Sequence, residues 1–446
     1  RVDTQNNHKL EYEALVTMTR TRMTRLLLPL AMAVTLAGPG KTSAVENTVQ
    51  LATADMPGLP ALEFCQTPKP EVPSSAFEMF QSESAGASGY WVRYKCKSAC
   101  SDWRQCLVPA HANDQGELVT DGRQPGAAKQ ALAFVVDGMA GHLAISNGGD
   151  KTVFIHTGAG GTRYYIEPAE TLEQMSSAKT VMVRWEKGYT SPIVQAPFTQ
   201  PITWGWYSRT SADPTTIKAL NKRVASVMAW SHDQLSDDSM FATLGCSMGT
   251  NATFGPVLWH GLDPIVDYQV FVGGPNMWDL NAQCGRREYE QGFCDMDATT
   301  RCETDSDCLT VDEAAQCTKP DRYTTIDLLF NQLPNHIHAT EACDIRASGP
   351  STEPYAPFDE SSMGFADGAD WTIDHKMDFL VNLDAKQGTT RSELGGDEYW
   401  ALGHFPYVFN RIQPEENKRW HSIPDSHHCA AMYREALDVL KQGMGL

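Results

Sequence analysis

Apolar positions along this chain gather into short dense runs separated by stretches with helical spacing. Ala133-Phe134-Val135-Val136 and Thr152-Val153-Phe154-Ile155 have the length and the β-branched and aromatic content of buried strands. Thr180 to Trp185, Phe241 to Leu244, Val266 to Val272 and Asp378 to Leu383 read the same way. Ile217 to Trp230 sets its apolar residues on one helical face, and Ala430 to Lys441 reads as a closing amphipathic helix. Strands alternating with helices predict an α/β fold, a mostly parallel sheet with flanking helices.

Two regions break this rhythm. Residues 45–130 are rich in Pro, Ser and Gly and carry Cys65, Cys96, Cys100 and Cys106. Gly89 to Tyr94 reads there as a strand and Cys96 to Cys106 as a tight bridged loop, so this is expected to be a disulfide-stapled N-terminal extension. Residues 284–375 hold Cys284, Cys294, Cys302, Cys308, Cys317 and Cys343 but few apolar runs. They are expected to form a Cys-rich, lid-like insertion without a large core of its own. The remaining segments, 131–283 and 376–446, would then be the two parts of the core.

The start of the chain has a different character. Basic residues after Met18, an apolar run from Leu26 to Gly38 and the small residues up to Ala44 predict a signal peptide over 18–44. Residues 1–17 read as a leader or upstream translation. The apolar run is too short to span a bilayer, and no cysteine follows it closely enough for a lipid anchor. A secreted protein, extracellular or periplasmic and without a membrane anchor, is the expectation. All twelve cysteines lie beyond residue 44, as a disulfide-bonded secreted chain requires.

With 41% hydrophobic and 20% charged residues over 446 positions, the composition is that of a core-forming protein and excludes a disordered one. Against 36 Lys and Arg stand 55 Asp and Glu, a net charge of −19. Such a surface repels nucleic acid and anionic membranes, so neutral substrates, or ones that cling by apolar contact, are expected.

The chemistry concentrates in Gly245-Cys246-Ser247-Met248-Gly249, which directly follows an apolar strand. This G-x-S-x-G pattern is a nucleophile elbow: the serine sits in a strained strand-to-helix turn that only small neighbours permit. In that arrangement an acid and a histidine follow in chain order. His427 and His428 precede the last helix, and position alone does not choose between them. Asp384, directly after the late strand, is the first candidate acid, with Glu393 and Asp397 on the next loop as alternatives. Setting aside four cysteines before residue 110 and six in the insertion leaves Cys246 and Cys429 as an expected pair. That bridge would favour His428 as the base. A pairing of Cys429 with the insertion remains the competing arrangement.

Ile155-His156-Thr157-Gly158-Ala159-Gly160-Gly161 follows a strand and resembles an H-G-G-G-type oxyanion loop. Backbone N–H groups at Gly158, Ala159 and Gly160 would act with that of Met248. The run lacks the full G-x-G-x-x-G pattern and no Walker Lys-Ser/Thr follows it, which argues against a nucleotide loop. Among the insertion acids, Asp305 and Asp307 are the candidates for a structural calcium, although the spacing is not that of an EF-hand. No cofactor is required for the chemistry, and no His/Cys spacing suggests zinc, His336-Ile-His338 being the nearest approach.

Serine and histidine each beside a cysteine resemble the Cys-Ser…Asp…His-Cys arrangement of the tannase and feruloyl esterase family. The likeness runs through Gly245 to Gly249, Gly261 to Tyr268 and Val272-Gly273-Gly274-Pro275-Asn276-Met277-Trp278, and His428-Cys429 completes it. Met248 and Thr250 depart from that family's usual residues around the serine. The resemblance implies an α/β-hydrolase fold, Ser247 as nucleophile, Asp384 as acid, His428 as base and a Cys246–Cys429 link. It also implies a secreted serine ester hydrolase acting on small-molecule or polymeric esters, aromatic, phenolic or polyester in type. Carbohydrate acetyl esterases and polyester depolymerases on the same fold are the alternative. A non-catalytic secreted binding protein on this scaffold is the alternative of another class.

Overall fold

The computed structural model describes residues 58–65, 99–112, 118–119, 129–146, 148–158, 161, 175, 177–185, 205–207, 216–236, 239–273, 292–294, 296–313, 315, 317–318, 371–382, 406, 408–423 and 435–446. The chain divides into two units, Arg1–Glu46 and Asn47–Leu446, and every described residue belongs to the second. The expected signal peptide, the strand at Gly89 to Tyr94 and residues 319–370 of the insertion lie outside the described residues.

One sheet of eleven strands organises the second unit. Its antiparallel part begins with β1 (Leu62–Cys65), β2 (Val108–Ala112), β3 (Leu118–Val119), β4 (Lys129–Val136) and β5 (Met139–Ser146). The parallel part comprises β6 (Thr152–His156), β7 (Lys179–Trp185), β8 (Phe241–Cys246) and β9 (Tyr268–Val272). The insertion supplies β10 (Gly292–Cys294), β11 (Asp297–Cys302) and β12 (Cys317–Thr318) as a separate small sheet. A short parallel pair joins β13 (Trp371–Thr372) to β15 (Ile412–Gln413), while β14 (Lys376–Asn382) and β16 (Lys418–Ile423) complete the parallel edge.

Across the main sheet the order is β16-β14-β9-β8-β6-β7-β5-β4-β2-β3, with β1 also on β4. The antiparallel β4–β5 hairpin turns at Asp137-Gly138, a pair in which both residues take positive φ, as the twist of a tight hairpin demands. After β6 the chain runs outward to β7 and then returns to β8 on the other side of β6. The sheet therefore has its switch point between β6 and β8, where the C-terminal ends of parallel strands open a crevice.

Both faces are covered, so the central strands are buried throughout. One face packs Phe154, Val181, Val183, Phe241, Phe271 and Phe379 against α1 (Ile217–Leu235) and α2 (Met248–His260). The other packs Val153, Ile155, Met182, Leu244, Val270 and Leu380 against α3 (Glu435–Met444). Alternate residues of each strand serve alternate faces, which explains why these strands read as continuous apolar runs. Helix α1 starts where the Thr216 hydroxyl accepts from the Ala219 N–H, and α2 ends at Gly261 in the left-handed region. The described parts of 45–130 join the main sheet: β1 and β2 lie one after the other along the free edge of β4, linked by the Cys100–Cys106 loop.

Among the described residues, the core of the small insertion sheet is Cys294, Cys302, Cys308 and Ala315. Two bridges, Cys294–Cys308 and Cys302–Cys317, replace the apolar burial that so short a segment cannot supply.

Candidate active site

Strand β8 runs Phe-Ala-Thr-Leu-Gly-Cys and stops at Ser247, whose φ of 53° and ψ of −126° lie where a side chain is strained. The turn is held from below by the Ser247 N–H, which donates to the Val272 carbonyl at the end of β9 (2.8 Å). It is held from above by the Thr250 N–H and hydroxyl, both donating to the Ser247 carbonyl. Helix α2 begins at once at Met248, so the N-terminus of a helix, the positive end of its dipole, lies beside the serine.

The flanking glycines are explained by what surrounds them. A Cβ on Gly245 would come within 2.6 Å of the Gly249 carbonyl oxygen and the Thr253 hydroxyl. On Gly249 it would meet the His156 carbonyl oxygen at 2.2 Å and that of Thr157 at 2.7 Å. Two backbones therefore touch here, the elbow and the end of β6.

The loop that leaves β6 crosses the serine. A Cβ on Gly158 would lie 3.0 Å from the Ser247 Cβ and 3.5 Å from its Oγ. Gly161, at φ 72°, closes the turn by donating its N–H to the Gly158 carbonyl. Ser247 itself is only 6% exposed.

A strained serine between a parallel strand and a helix, at the switch point of this strand order, decides the architecture. This is the α/β-hydrolase fold. In an α/β-hydrolase the acid and the base leave the sheet on the same edge as the nucleophile. Here β8, β9, β14 and β16 are adjacent and parallel, so their C-terminal ends share one edge. Strand β14 ends at Asn382, two positions before Asp384, and β16 ends at Ile423, four and five positions before His427 and His428.

Of the residues singled out from the sequence, the structure brings Ser247, Met248 and Gly158 together. Ala159, Gly160, Asp384, Glu393, Asp397, His427, His428 and Cys429 lie outside the described residues. Cys246 is fully buried and disulfide-bonded, and none of the three bridges between described cysteines includes it. Its partner is therefore one of Cys96, Cys284, Cys343 and Cys429.

Asp305 and Asp307 stand in one short turn of the insertion, and both carboxylates are engaged with backbone. Asp305 accepts from the Cys317 N–H, while Asp307 accepts from the N–H groups of Glu303 and Thr304 as a capping box. Among the described residues, the cluster with metal-ligand spacing is Cys294, Cys302 and Cys308, whose sulfurs are all in disulfides. Asn251 of the Asn-Ala-Thr sequon is fully buried in α2.

Sequence reasoning missed a charge cluster built around a buried carboxylate on the α3 side of the sheet. The Asp378 carboxylate, in the middle of β14, accepts from the Arg419 guanidinium twice at 2.7 Å, from His421 Nε2 at 2.6 Å and from the Tyr268 hydroxyl. Burial alone would raise its pKa, but the hydrogen bonds from His421, Arg419 and Tyr268 outweigh burial and hold it below the ordinary carboxylate value. Burial and the same carboxylate push the Tyr268 phenol upward. This Asp–His pair does not serve Ser247. Asp378 is in register with Val270 and that with Leu244, three positions below the serine and two strands away, roughly 10 Å across the sheet.

No protein-family model and no curated protein matches the chain. Among solved structures, acetyl xylan esterase 1 from Thermoanaerobacterium sp. JW/SL YS485 overlaps 75% of this chain and 86% of its own, at 13% identity and a TM-score of 0.41. A proline iminopeptidase-related protein from Thermus thermophilus overlaps 71% and 97%, at 12% identity and a TM-score of 0.36. An alpha/beta hydrolase from Penicillium sp. sh18 overlaps 71% and 99%, at 11% identity and 0.35.

Proposed function

We propose that the protein is a serine hydrolase that cleaves carboxylic esters through an acyl-enzyme. The observation that carries this reading is the strained Ser247, held at a helix N-terminus with the backbone of Gly158 packed over its Cβ. Strain of roughly 1–3 kcal/mol at a non-glycine residue persists only where surrounding structure enforces it, and it gathers at functional sites. Ser247 Oγ gives its proton to the base as it attacks the ester carbonyl, and the oxygen that becomes negative is received by the N–H of Met248 and by those of the Gly158 to Gly160 loop. The C–O bond to the alcohol then breaks, and the alcohol leaves with that proton. Water hydrolyses the acyl-enzyme to release the acid and free Ser247.

His428 is the proposed base and Asp384 the acid that orients it, on loops that follow the adjacent strands β16 and β14. The disulfide at Cys246 supports His428 over His427, because Cys429 is one of four partners left for it. If Cys65 pairs with Cys96 and Cys284 with Cys343, Cys429 is the one that remains. Aromatic, phenolic or polyester-type esters are the proposed substrates, and an oxidising compartment outside the cytoplasm is the proposed location, supported by the bridges that stand in for a core in the insertion.

A fluorophosphonate probe tests this directly. Wild-type protein is expected to label once per chain at Ser247 and to hydrolyse p-nitrophenyl and feruloyl esters, and Ser247→Ala is expected to do neither. An unlabelled wild-type protein, or a Ser247→Ala variant with full esterase activity, defeats the reading.

A further inference from the structure

The imidazole of His156 is enclosed on every side. It is fully buried at the end of β6, its Nε2 lies 3.0 Å from the indole nitrogen of Trp185, and its Nδ1 lies 2.9 Å from the Thr157 carbonyl oxygen. An indole N–H can only donate, so Nε2 must accept. A carbonyl oxygen can only accept, so Nδ1 must carry the hydrogen. The two contacts together fix one neutral tautomer, protonated on Nδ1. Burial agrees, since it pushes the imidazole down to about 4 and keeps it uncharged at neutral pH.

What the ring grips is the peptide between Thr157 and Gly158. That unit is planar and trans, so a Thr157 carbonyl turned toward the imidazole directs the Gly158 N–H to the opposite side. The same carbonyl oxygen faces Gly249, where a Cβ would reach it at 2.7 Å, and Gly158 itself stands over Ser247. Gly161 makes room for the arrangement: any Cβ there would strike the His156 ring at 2.6 Å and Trp185 at 2.9 Å. Trp185 is in turn fixed by an edge-to-face contact with Phe134, at 5.2 Å between ring centroids.

From this geometry we infer that His156 and Trp185 are positioning residues of the oxyanion loop, holding the Thr157–Gly158 peptide in the orientation that serves the ester transition state. The inference rests on the serine-hydrolase reading above and adds to it a relay: indole N–H to imidazole, imidazole N–H to peptide carbonyl. A flip of that peptide would turn its N–H away from its post and would sacrifice the hydrogen bond from Nδ1. Neither side chain touches the substrate in this scheme. Both act through the backbone, so they should change turnover and leave ground-state binding alone.

Three variants of the full chain test this, each referred to the number of sites that fluorophosphonate labels at completion. His156→Leu removes the N–H donated to Thr157, and kcat per labelled site is expected to fall about tenfold to a hundredfold with KM within about twofold of wild type. His156→Asn returns an N–H at the Nδ1 position and is expected to recover at least half of that loss on a logarithmic scale. Trp185→Phe keeps the packing on Phe134 but deletes the indole donor, and a fall of about threefold to tenfold in kcat is expected. Ring-nitrogen NMR of histidine-labelled protein should show a neutral Nδ1–H histidine in wild type that is missing in His156→Leu. Wild-type kcat per labelled site in both His156→Leu and Trp185→Phe, or an Nε2–H tautomer for His156, overturns the inference while leaving the nucleophile assignment intact. Absence of labelling in the wild-type chain strikes the parent reading instead.

Discussion

The Cα of Gly249 faces the carbonyl oxygen of His156 so closely that a Cβ there would stand 2.2 Å from it. Strand β6 and helix α2 thus meet backbone to backbone, and this contact sets the gap between the nucleophile and the loop above it. Much of what the site needs follows from that absence of side chains.

Two glycines with different surroundings should respond differently to alanine. At Gly249 the obstacle is two backbone carbonyls that belong to a central strand and the loop leaving it, so Gly249→Ala must displace β6 or α2 and is expected to destabilise by about 2–4 kcal/mol. At Gly158 the closest neighbour is the Ser247 side chain itself, 3.0 Å to its Cβ and 3.5 Å to its Oγ, with the Cys246 carbonyl oxygen at an ordinary contact distance of 3.4 Å. Gly158→Ala is therefore expected to cost under about 1 kcal/mol in stability but at least tenfold in kcat. Urea unfolding and turnover, measured side by side, should separate the two. Equal stability losses would contradict this account.

Replacing the nucleophile by glycine should stabilise the protein. Ser247 holds φ 53° and ψ −126°, a conformation open to glycine at no steric cost. Ser247→Gly is expected to be about 1 kcal/mol more stable than Ser247→Ala, which keeps the Cβ and so the strain. Both should be inactive. An alanine variant as stable as the glycine variant in urea unfolding would show that the elbow stores no strain.

Peptide mapping without reduction should recover Cys246 joined to Cys429. The bond at Cys246 closes on a cysteine other than the seven remaining described ones, and a link to Cys429 would carry His428 toward the elbow. Recovery of Cys246 with Cys96, Cys284 or Cys343 would leave His427 and His428 equal as bases.

The elbow was legible in the sequence because its glycines answer a backbone requirement that no other residue meets. The long apolar runs were equally plain, and β6 to β9 and β14 fall where periodicity put them, within two residues at each end. Strand β5 was not. Its Met-Ala-Gly-His-Leu-Ala-Ile-Ser run looks weak because the ring of Phe134 fills the space over Gly141, where a Cβ would approach it to 2.5 Å. Strand β16, Lys-Arg-Trp-His-Ser-Ile, hides for another reason: Arg419 and His421 answer the Asp378 carboxylate on β14, a complementarity that exists only once the strands are paired. The polar grip of His156 on its own loop was also invisible, since it depends on Trp185 from the neighbouring strand.

Acid should weaken the fold before the carboxylates titrate. Burial pushes His156 down to about 4 and, with Arg184 beside it, drives His142 well below its ordinary value of 6.5. Folding therefore favours the neutral rings, and the unfolded chain binds more protons as the pH drops below 6.5. Their contribution is complete above that pH and declines as the pH falls toward the folded values, by about 1.4 kcal/mol per pH unit for each ring. Urea midpoints at pH 7.5, 6 and 5 should fall accordingly, and His156→Leu should flatten the slope. A stability unchanged between pH 7.5 and 5 would contradict the burial of neutral imidazoles.

The Asp378 cluster should matter for stability in a different window. Its carboxylate is fully buried and its hydrogen bonds hold it below the ordinary carboxylate range, so it stays charged, and its contribution is lost only as the pH falls below about 4. Asp378→Asn at neutral pH removes the charge that Arg419 and His421 face, yet the Arg419 side chain is 48% exposed and can recover water. The expected cost is consequently about 2 kcal/mol, less than the roughly 3–5 kcal/mol of a pair whose surviving charge is fully buried. Arg419→Ala is expected to cost more than Asp378→Asn, because it leaves the carboxylate as a buried charge without its main partner. Thermal or urea unfolding of the two variants at pH 7.5 orders them. The reverse order would mean that Tyr268 and His421 suffice to hold the anion, and that the guanidinium is an ornament of the sheet edge.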